Sequence, residues 1–292
     1  MAPYFIHKNW NDENELKKHY FTLIKKSIDK NLGNINEIYI DDDLGLGLAS
    51  RFNHLKILKE LLNLGANPNI KNLNGESPLY IASTHGNFII VKELLSKGVD
   101  INCTTNSEQT PLQSASKNGY LDIVKELIAN GAQIEAKWNK CITPLYLAVS
   151  EGHLGIVKHL ITKGAFINTV DVGDQTLLHI ALYKKHIDVA KELIKNGINI
   201  DSKDKFGRSP LFPAIVNNIE EIALELINRD VELNRVPYFG PSILETAELK
   251  GNSKIIEELK KRGAKIKGNP ETKPSMPDLN TGSDFKVTFV NL

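Results

Sequence analysis

Between Thr143 and Asn168 apolar and polar positions alternate as two short helices with a turn between them and a loop after: TPLYLAVSEGHLGIVKHLITKGAFIN. The Thr143 hydroxyl is placed to accept from an orphan N–H of the first turn, and Pro144 at the first helical position has no N–H to leave unsatisfied. Leu145 and Ala148 give this helix a narrow apolar side, and Gly152 supplies the left-handed residue that ends it. Ile156, Val157, Leu160 and Ile161 then recur at helical spacing, so the second helix has one buried stripe that stops at Gly164. A pair this small cannot bury its apolar face alone.

The chain solves this by repetition. Ala148 recurs as Ala49, Ala82, Ala115, Ala181, Ala214 and Ala247, each step 33 residues. Sixteen positions after each stand Gly65, Gly98, Gly131, Gly164, Gly197, then Asp230 as the exception, then Gly263. A 33-residue period carrying Ser/Thr-Pro-Leu, Ala, Gly, paired Ile/Val, paired Leu/Ile and a closing Gly-Ala-x-x-Asn resembles the ankyrin repeat family, with seven units across about residues 39–267. The resemblance implies an all-α repeat solenoid of helix-turn-helix units with short β-hairpin loops, and another protein as partner. Family alone does not settle function.

The units are unequal. In the first, Leu44-Gly45-Leu46 stands where others have Ser/Thr-Pro-Leu, while the second, third and fourth open with Ser77-Pro78, Thr110-Pro111 and Thr143-Pro144. The fifth puts Lys185 where Gly or Asn ends the first helix, which implies either mild strain or a different ending. The sixth has Pro213 inside its first helix, disfavouring helical geometry at Phe212, and Asp230 at the closing Gly; a soft joint and neutral drift both account for this. The seventh has Lys260 where the other six carry Leu or Ile, as suits a C-terminal cap.

Outside the repeats, residues 1–38 contain an amphipathic stretch, with Leu16, Tyr20, Leu23, Ile24 and Ile28 at near-helical spacing, expected to cap the open end of the stack. Residues 268–292 form a Pro-containing linker followed by FKVTFVNL, in which Phe285, Val287 and Phe289 alternate with Lys286, Thr288 and Val290. The 17 linker residues 268–284 span up to roughly 55 Å, so docking of this tail in cis is within reach.

Charge selects no partner: Lys plus Arg is 36 and Asp plus Glu is 35, so nucleic acid and anionic membrane are not favoured. No stretch approaches the ~20 apolar residues of a membrane helix. Cys103 and Cys141 are too few for a disulfide framework, and no signal-peptide core follows Met1, which together suggest the cytoplasm, or a host cell reached without a cleavable signal.

Chemistry is sparse. His54, His153 and His186 share one repeat position, His179 occupies the Thr-x-Leu-His slot, and His7, His19, His85 and His159 share no spacing with other ligands, so no metal site is expected. Asn69, Asn102, Asn168 and Asn199 follow the closing Gly and are expected to satisfy loop backbone. No nucleophile elbow, phosphate loop or HExxH occurs, so neither catalytic residue nor cofactor is expected.

What varies freely is the hairpin and the exposed end of each first helix, the positions through which this family meets partners. In the second and third units these are mostly polar: Leu73, Asn74, Glu76, Thr84, His85, then Asn106, Ser107, Gln109, Lys117, Asn118. Toward the C-terminus they become Val172 and Tyr183, Phe206 and Val216, and Tyr238, Phe239 and Leu249, framed by Lys184, Lys205, Arg208 and Lys250. Apolar residues converging on one strip make a docking site, with some of the aromatics, Trp138 included, alternatively packing on neighbouring hairpins. The reading is a binding module acting as adaptor, scaffold or inhibitor, in one version a host-directed effector. The rivals are an array targeting a small modifying activity in the terminal segments, and an assembly subunit.

Overall fold

The computed structural model describes residues 45–266 apart from 230 and 236, the strand residues 39–40 and 43–44, and residues 22 and 24–26. The expectations for Asp230, for the C-terminal tail and for most of the N-terminal stretch lie outside the described residues. A short antiparallel pair, β1 (Tyr39–Ile40) and β2 (Asp43–Leu44), leads into the helices.

Fourteen helices follow among the described residues, alternating inner and outer. The inner ones are α1 (Gly45–Arg51), α3 (Pro78–Thr84), α5 (Pro111–Asn118), α7 (Pro144–Ser150), α9 (Leu177–Tyr183), α11 (Leu211–Val216) and α13 (Ile243–Lys250). The outer ones are α2 (Leu55–Asn63), α4 (Phe88–Leu95), α6 (Leu121–Ala129), α8 (Leu154–Thr162), α10 (Ile187–Lys195), α12 (Glu220–Asn228) and α14 (Ser253–Lys261). Each inner helix packs on its own outer helix and on the inner helices before and after it, giving an all-α repeat solenoid. None of these helices is long and apolar enough to cross a membrane.

The start signals work as their chemistry dictates. Ser77, Thr110, Thr143, Thr176 and Ser242 accept from the backbone N–H of Tyr80, Gln113, Tyr146, His179 and Glu245 at 3.1–3.4 Å. The recurring Ala residues at the centre of the inner helices are fully buried, which lets successive helices approach closely. Leu58, Leu94, Leu127, Leu160, Leu193, Leu226 and Leu259 from the outer helices complete one continuous core. Ile24, from the amphipathic N-terminal stretch, is fully buried and belongs to that core.

Pro213 shortens its helix without abolishing it. Pro210 is already helical, Phe212 N–H bonds to Ser209 O at 2.9 Å, and Ala214 N–H to Pro210 O at 3.3 Å. Pro213 thus sits in the first turn, where N–H groups lack an intrahelical partner anyway. Lys260 is exposed and paired with Glu248 at 2.9 Å, so the last outer face is polar.

The turn between inner and outer helix holds a left-handed residue in every unit: Asn53, Gly86, Gly119, Gly152, Lys185, Asn218 and Gly251. Lys185 therefore keeps the turn and accepts the strain, at φ +61°. The residue type follows from what the next unit stacks on it. A Cβ at Gly86, Gly119 or Gly152 would lie 2.5–2.7 Å from the ring of Tyr120, His153 or His186. Asn53, Lys185 and Asn218 instead precede the ringless Asn87, Ile219 and Asn252.

Candidate docking strip

Four hairpin tips are held by their own first side chain. Asn72 Oδ1, Thr105 Oγ1, Asp171 Oδ1 and Asp204 Oδ1 each accept from the backbone amides two and four residues on, at 2.7–3.2 Å. This is the Asx or Ser/Thr turn, in which a short polar side chain stands in for a backbone acceptor. Trp138 occupies the corresponding place in the fourth unit and has no such oxygen. Its tip closes instead by paired Trp138–Ile142 backbone bonds at 2.9 Å, with Asn139 and Lys140 both left-handed. The half-buried indole is therefore part of a hairpin stem.

Three pairs of successive tips are joined. Asn106 N–H bonds to Asn74 O at 3.0 Å, Lys205 N–H to Gly173 O at 2.9 Å, and Tyr238 N–H to Phe206 O at 3.0 Å. The last two bonds bring the tips of the fifth, sixth and seventh units into one row. Val172, Phe206, Tyr238 and Phe239 lie on that row and are all exposed, Val172 at 85% and Phe239 at 64%. Leu249, near the end of α13, is 79% exposed, and Val216, at the end of α11, is half-buried.

Tyr183 and Arg208 sit differently from this row. Asp204, fully buried, takes the Arg208 guanidinium through Oδ2 at 3.0 Å from Nε and 2.8 Å in the matching ion pair. The guanidinium carbon lies 4.5 Å from the Phe206 ring centroid, 5.1 Å from Phe212 and 5.9 Å from Tyr183. Arg208 is thus a neutralised strut gathering three aromatic rings, with Phe212 a member that sequence reasoning missed. Burial raises the Tyr183 phenol above its ordinary value, and its hydroxyl is enclosed. Lys205 lies over Phe206 at 5.4 Å, while Lys184 is exposed at the end of α9 and Lys250 ends α13 in the open.

The N-terminal half of the same side is largely occupied with itself. Tyr80 donates to Gln109 at 2.8 Å, Thr84 pairs with Ser114 at 2.7 Å, His85 with Ile81 O at 2.9 Å, and Asn118 with Ser114 O at 2.9 Å. Leu73 is exposed there.

The histidines serve the stack. His153 and His186 bridge at 2.9 and 3.0 Å to the carbonyls of Lys117 and Ser150 in the preceding unit, and Asn87 does the same to Ser50 and Arg51. His179 accepts from Thr176 N–H at Nδ1, which leaves Nε2–H to donate to Arg208 O at 3.0 Å; burial holds it neutral by lowering its pKa. Gln113 makes the analogous bonds two units earlier, to Thr110 N–H and the carbonyls of Ala136 and Ile142.

Asn69, Asn102 and Asn168 accept from amides of the next unit, as do Glu135 and Asn234, which sequence reasoning passed over, all at 2.8–3.0 Å; Asn199 accepts from Asp201 N–H within its own loop. Cys103 is buried against the Ser77 hydroxyl at 3.0 Å. Among the described residues no group of three His, Cys, Asp or Glu is placed to hold a metal ion.

The family model for ankyrin repeats in three copies matches residues 46–138, 134–204 and 178–269. A search of curated proteins returns no match. Among solved structures, the ankyrin repeat domain of human ASB11 is similar, with a TM-score of 0.67 and 26% identity over 78% of this chain and 100% of that one. With these matches spanning the stacked helix pairs from end to end, the chain belongs to the ankyrin-repeat family.

Proposed function

We propose that this protein is a non-catalytic adaptor, scaffold or inhibitor that captures another protein on the concave side of its solenoid, along the last three of seven 33-residue repeats spanning residues 39–267. Residues 1–38 then cap the first repeat, and residues 268–292 follow the array as a Pro-containing linker and a short apolar tail. Ankyrin repeats are generally protein-interaction modules, and the coarse function follows from membership.

The observation that carries the finer reading is the row Val172, Phe206, Tyr238, Phe239, held side by side by backbone bonds between tips. Exposed aromatic side chains with few rotamers are efficient anchors, and a preorganised row loses little entropy on docking. Lys184, Lys205 and Lys250 frame the row, whereas the Arg208 charge is already met by Asp204. The fitting partner therefore presents an apolar ridge flanked by carboxylates. The cytoplasm, or the interior of a host cell, is the proposed place of action.

The test is capture from a source lysate by the parent and by a variant with Val172, Phe239 and Leu249 changed to Ala, exposed positions whose loss leaves the core intact. A protein retained by the parent and lost by a folded variant is the expected result. Equal retention by both sinks the assignment of the strip.

A further inference from the structure

The bonds between tips run in one direction. At three junctions a tip carbonyl accepts from an amide 32 residues later, Asn74 from Asn106, Gly173 from Lys205 and Phe206 from Tyr238, whereas the carbonyls of Ser107 and Lys140 in the same column meet no such amide among the described residues. Phe239 stands next in that column, 33 residues after Phe206, and its carbonyl meets no amide of the described residues. The open acceptor belongs to the unit that also exposes the side chains of Tyr238, Phe239 and Leu249 and that immediately precedes the end of the described chain at Ile266.

A strand-like segment with alternating apolar residues is what such an edge accepts: its amides extend the backbone pairing and its alternate side chains enter the apolar row. The chain carries one. In DFKVTFV, residues 284–290, Phe285, Val287 and Phe289 share one side of an extended chain and span about 13 Å, one to two helix spacings of 8–10 Å. Asp284 brings a carboxylate to a row framed by Lys184 and Lys250. The linker 268–284 has an r.m.s. reach of about 23 Å if flexible, enough to return to the seventh unit and its neighbours.

We infer that residues 284–290 dock in cis on the strip, with a backbone amide donating to Phe239 O and with Phe285, Val287 and Phe289 against Tyr238, Phe239 and Leu249. The inference rests on the strip being a docking surface and names its resident occupant. A short flexible linker gives a tethered segment an effective concentration of the order of 1 mM, so a segment binding at ~0.1 mM occludes the strip about tenfold. An incoming partner must displace it.

The test uses the full-length chain and a fluorescein-labelled synthetic peptide of residues 282–292, read by anisotropy. The parent is expected to bind the peptide weakly. The full-length variant Phe285→Ala/Val287→Ala/Phe289→Ala, its strip vacated, is expected to bind it about tenfold more tightly. Adding Phe239→Ala and Leu249→Ala to that variant should remove the gain. Equal affinity for parent and tail variant, including no binding to either, overturns the inference, as does a gain that survives loss of Phe239 and Leu249. Light scattering should find both proteins monomeric; a parental dimer that the tail changes dissociate assigns the segment to a second copy and overturns docking in cis. A negative peptide result beside strip-dependent lysate capture removes only the tail; loss of strip dependence in the capture removes the strip itself.

Discussion

Replacing Gly152 by Ala separates two costs that a glycine position usually confounds, that of a left-handed backbone and that of the neighbour stacked upon it. At φ +78° an Ala pays about 1–2 kcal/mol for its conformation, offset in part by roughly 0.4–1 kcal/mol from a less flexible unfolded chain. Its Cβ would also stand 2.6 Å from His186 Nδ1 and 2.7 Å from Cε1. The ring must retreat by most of an ångström, which pulls Nε2 off the Ser150 carbonyl it bridges at 3.0 Å. Losing that bond adds about 0.5–1.5 kcal/mol, and the orphaned groups add more where they stay dry. Gly152→Ala should therefore cost about 2–3 kcal/mol. Gly251 is the internal control: it occupies the same turn in the last unit at φ +71°, with nothing within 4 Å of the place a methyl would take, so Gly251→Ala should cost about 1 kcal/mol. In a His186→Ala background the excess should vanish, giving a coupling of about 1–2 kcal/mol. Urea unfolding followed by circular dichroism reads the parent and all four variants, with the slope checked for each because repeat arrays can depart from two-state behaviour. Equal costs at Gly152 and Gly251, or an excess that persists without His186, would refute stacking as the reason for glycine.

Three further outcomes follow from the same geometry. Asp204→Ala removes the oxygen that accepts from two backbone amides and strands Arg208, whose side chain is 21% exposed, so a loss of about 3 kcal/mol and of strip-dependent binding is expected in melting and capture assays. Ser83→Ala and Ser116→Ala delete hydroxyls that are buried and meet no partner, and each should raise stability by about 0.5–1 kcal/mol; a lower melting temperature would show that the hydroxyl is satisfied after all. The lowered pKa of buried His179 means that the unfolded chain binds a proton which the folded chain refuses. Its contribution is intact above the unfolded value of about 6.5, and stability falls as pH drops below it. His179→Gln, copying the bonds of Gln113, should flatten that part of the pH profile, and an unchanged slope would assign it to other groups.

The period, the Ala and Gly columns and the Thr-Pro starts were legible because they obey local rules, each residue being explained by its own helix or turn. Lys185 was legible as a question and Lys260 as an answer, since both concern a single backbone or a single face. The side-chain oxygens at Asn72, Thr105, Asp171 and Asp204 also act locally, and their 33-residue recurrence was a signal available in the sequence. What stayed hidden spans unit boundaries. The Arg208 strut joins the sixth unit to Tyr183 of the fifth, and glycine at 86, 119 and 152 depends on rings 34 residues away. Such choices are fixed by stacking geometry, which no single unit contains. Tyr183 illustrates the limit: its position in the repeat made it a surface anchor, while its hydroxyl is enclosed and its ring lies 5.9 Å from the Arg208 guanidinium.

Directly after the central Ala of the first six units, the column inside the stack reads Ser50, Ser83, Ser116, then Val149, Leu182, Ile215, all buried, while in the seventh an exposed Glu248 stands there. An aliphatic side chain at such a place contributes roughly 1.5–3 kcal/mol, which an unpartnered hydroxyl does not supply. Mechanical load is therefore borne unequally. Pulled from its ends, or threaded through a protein-unfolding pore, the array should peel from the first three units, while the fifth and sixth, which carry Val172 and Phe206 of the exposed row, resist longest. The grip on a partner would outlast the unravelling of the other half.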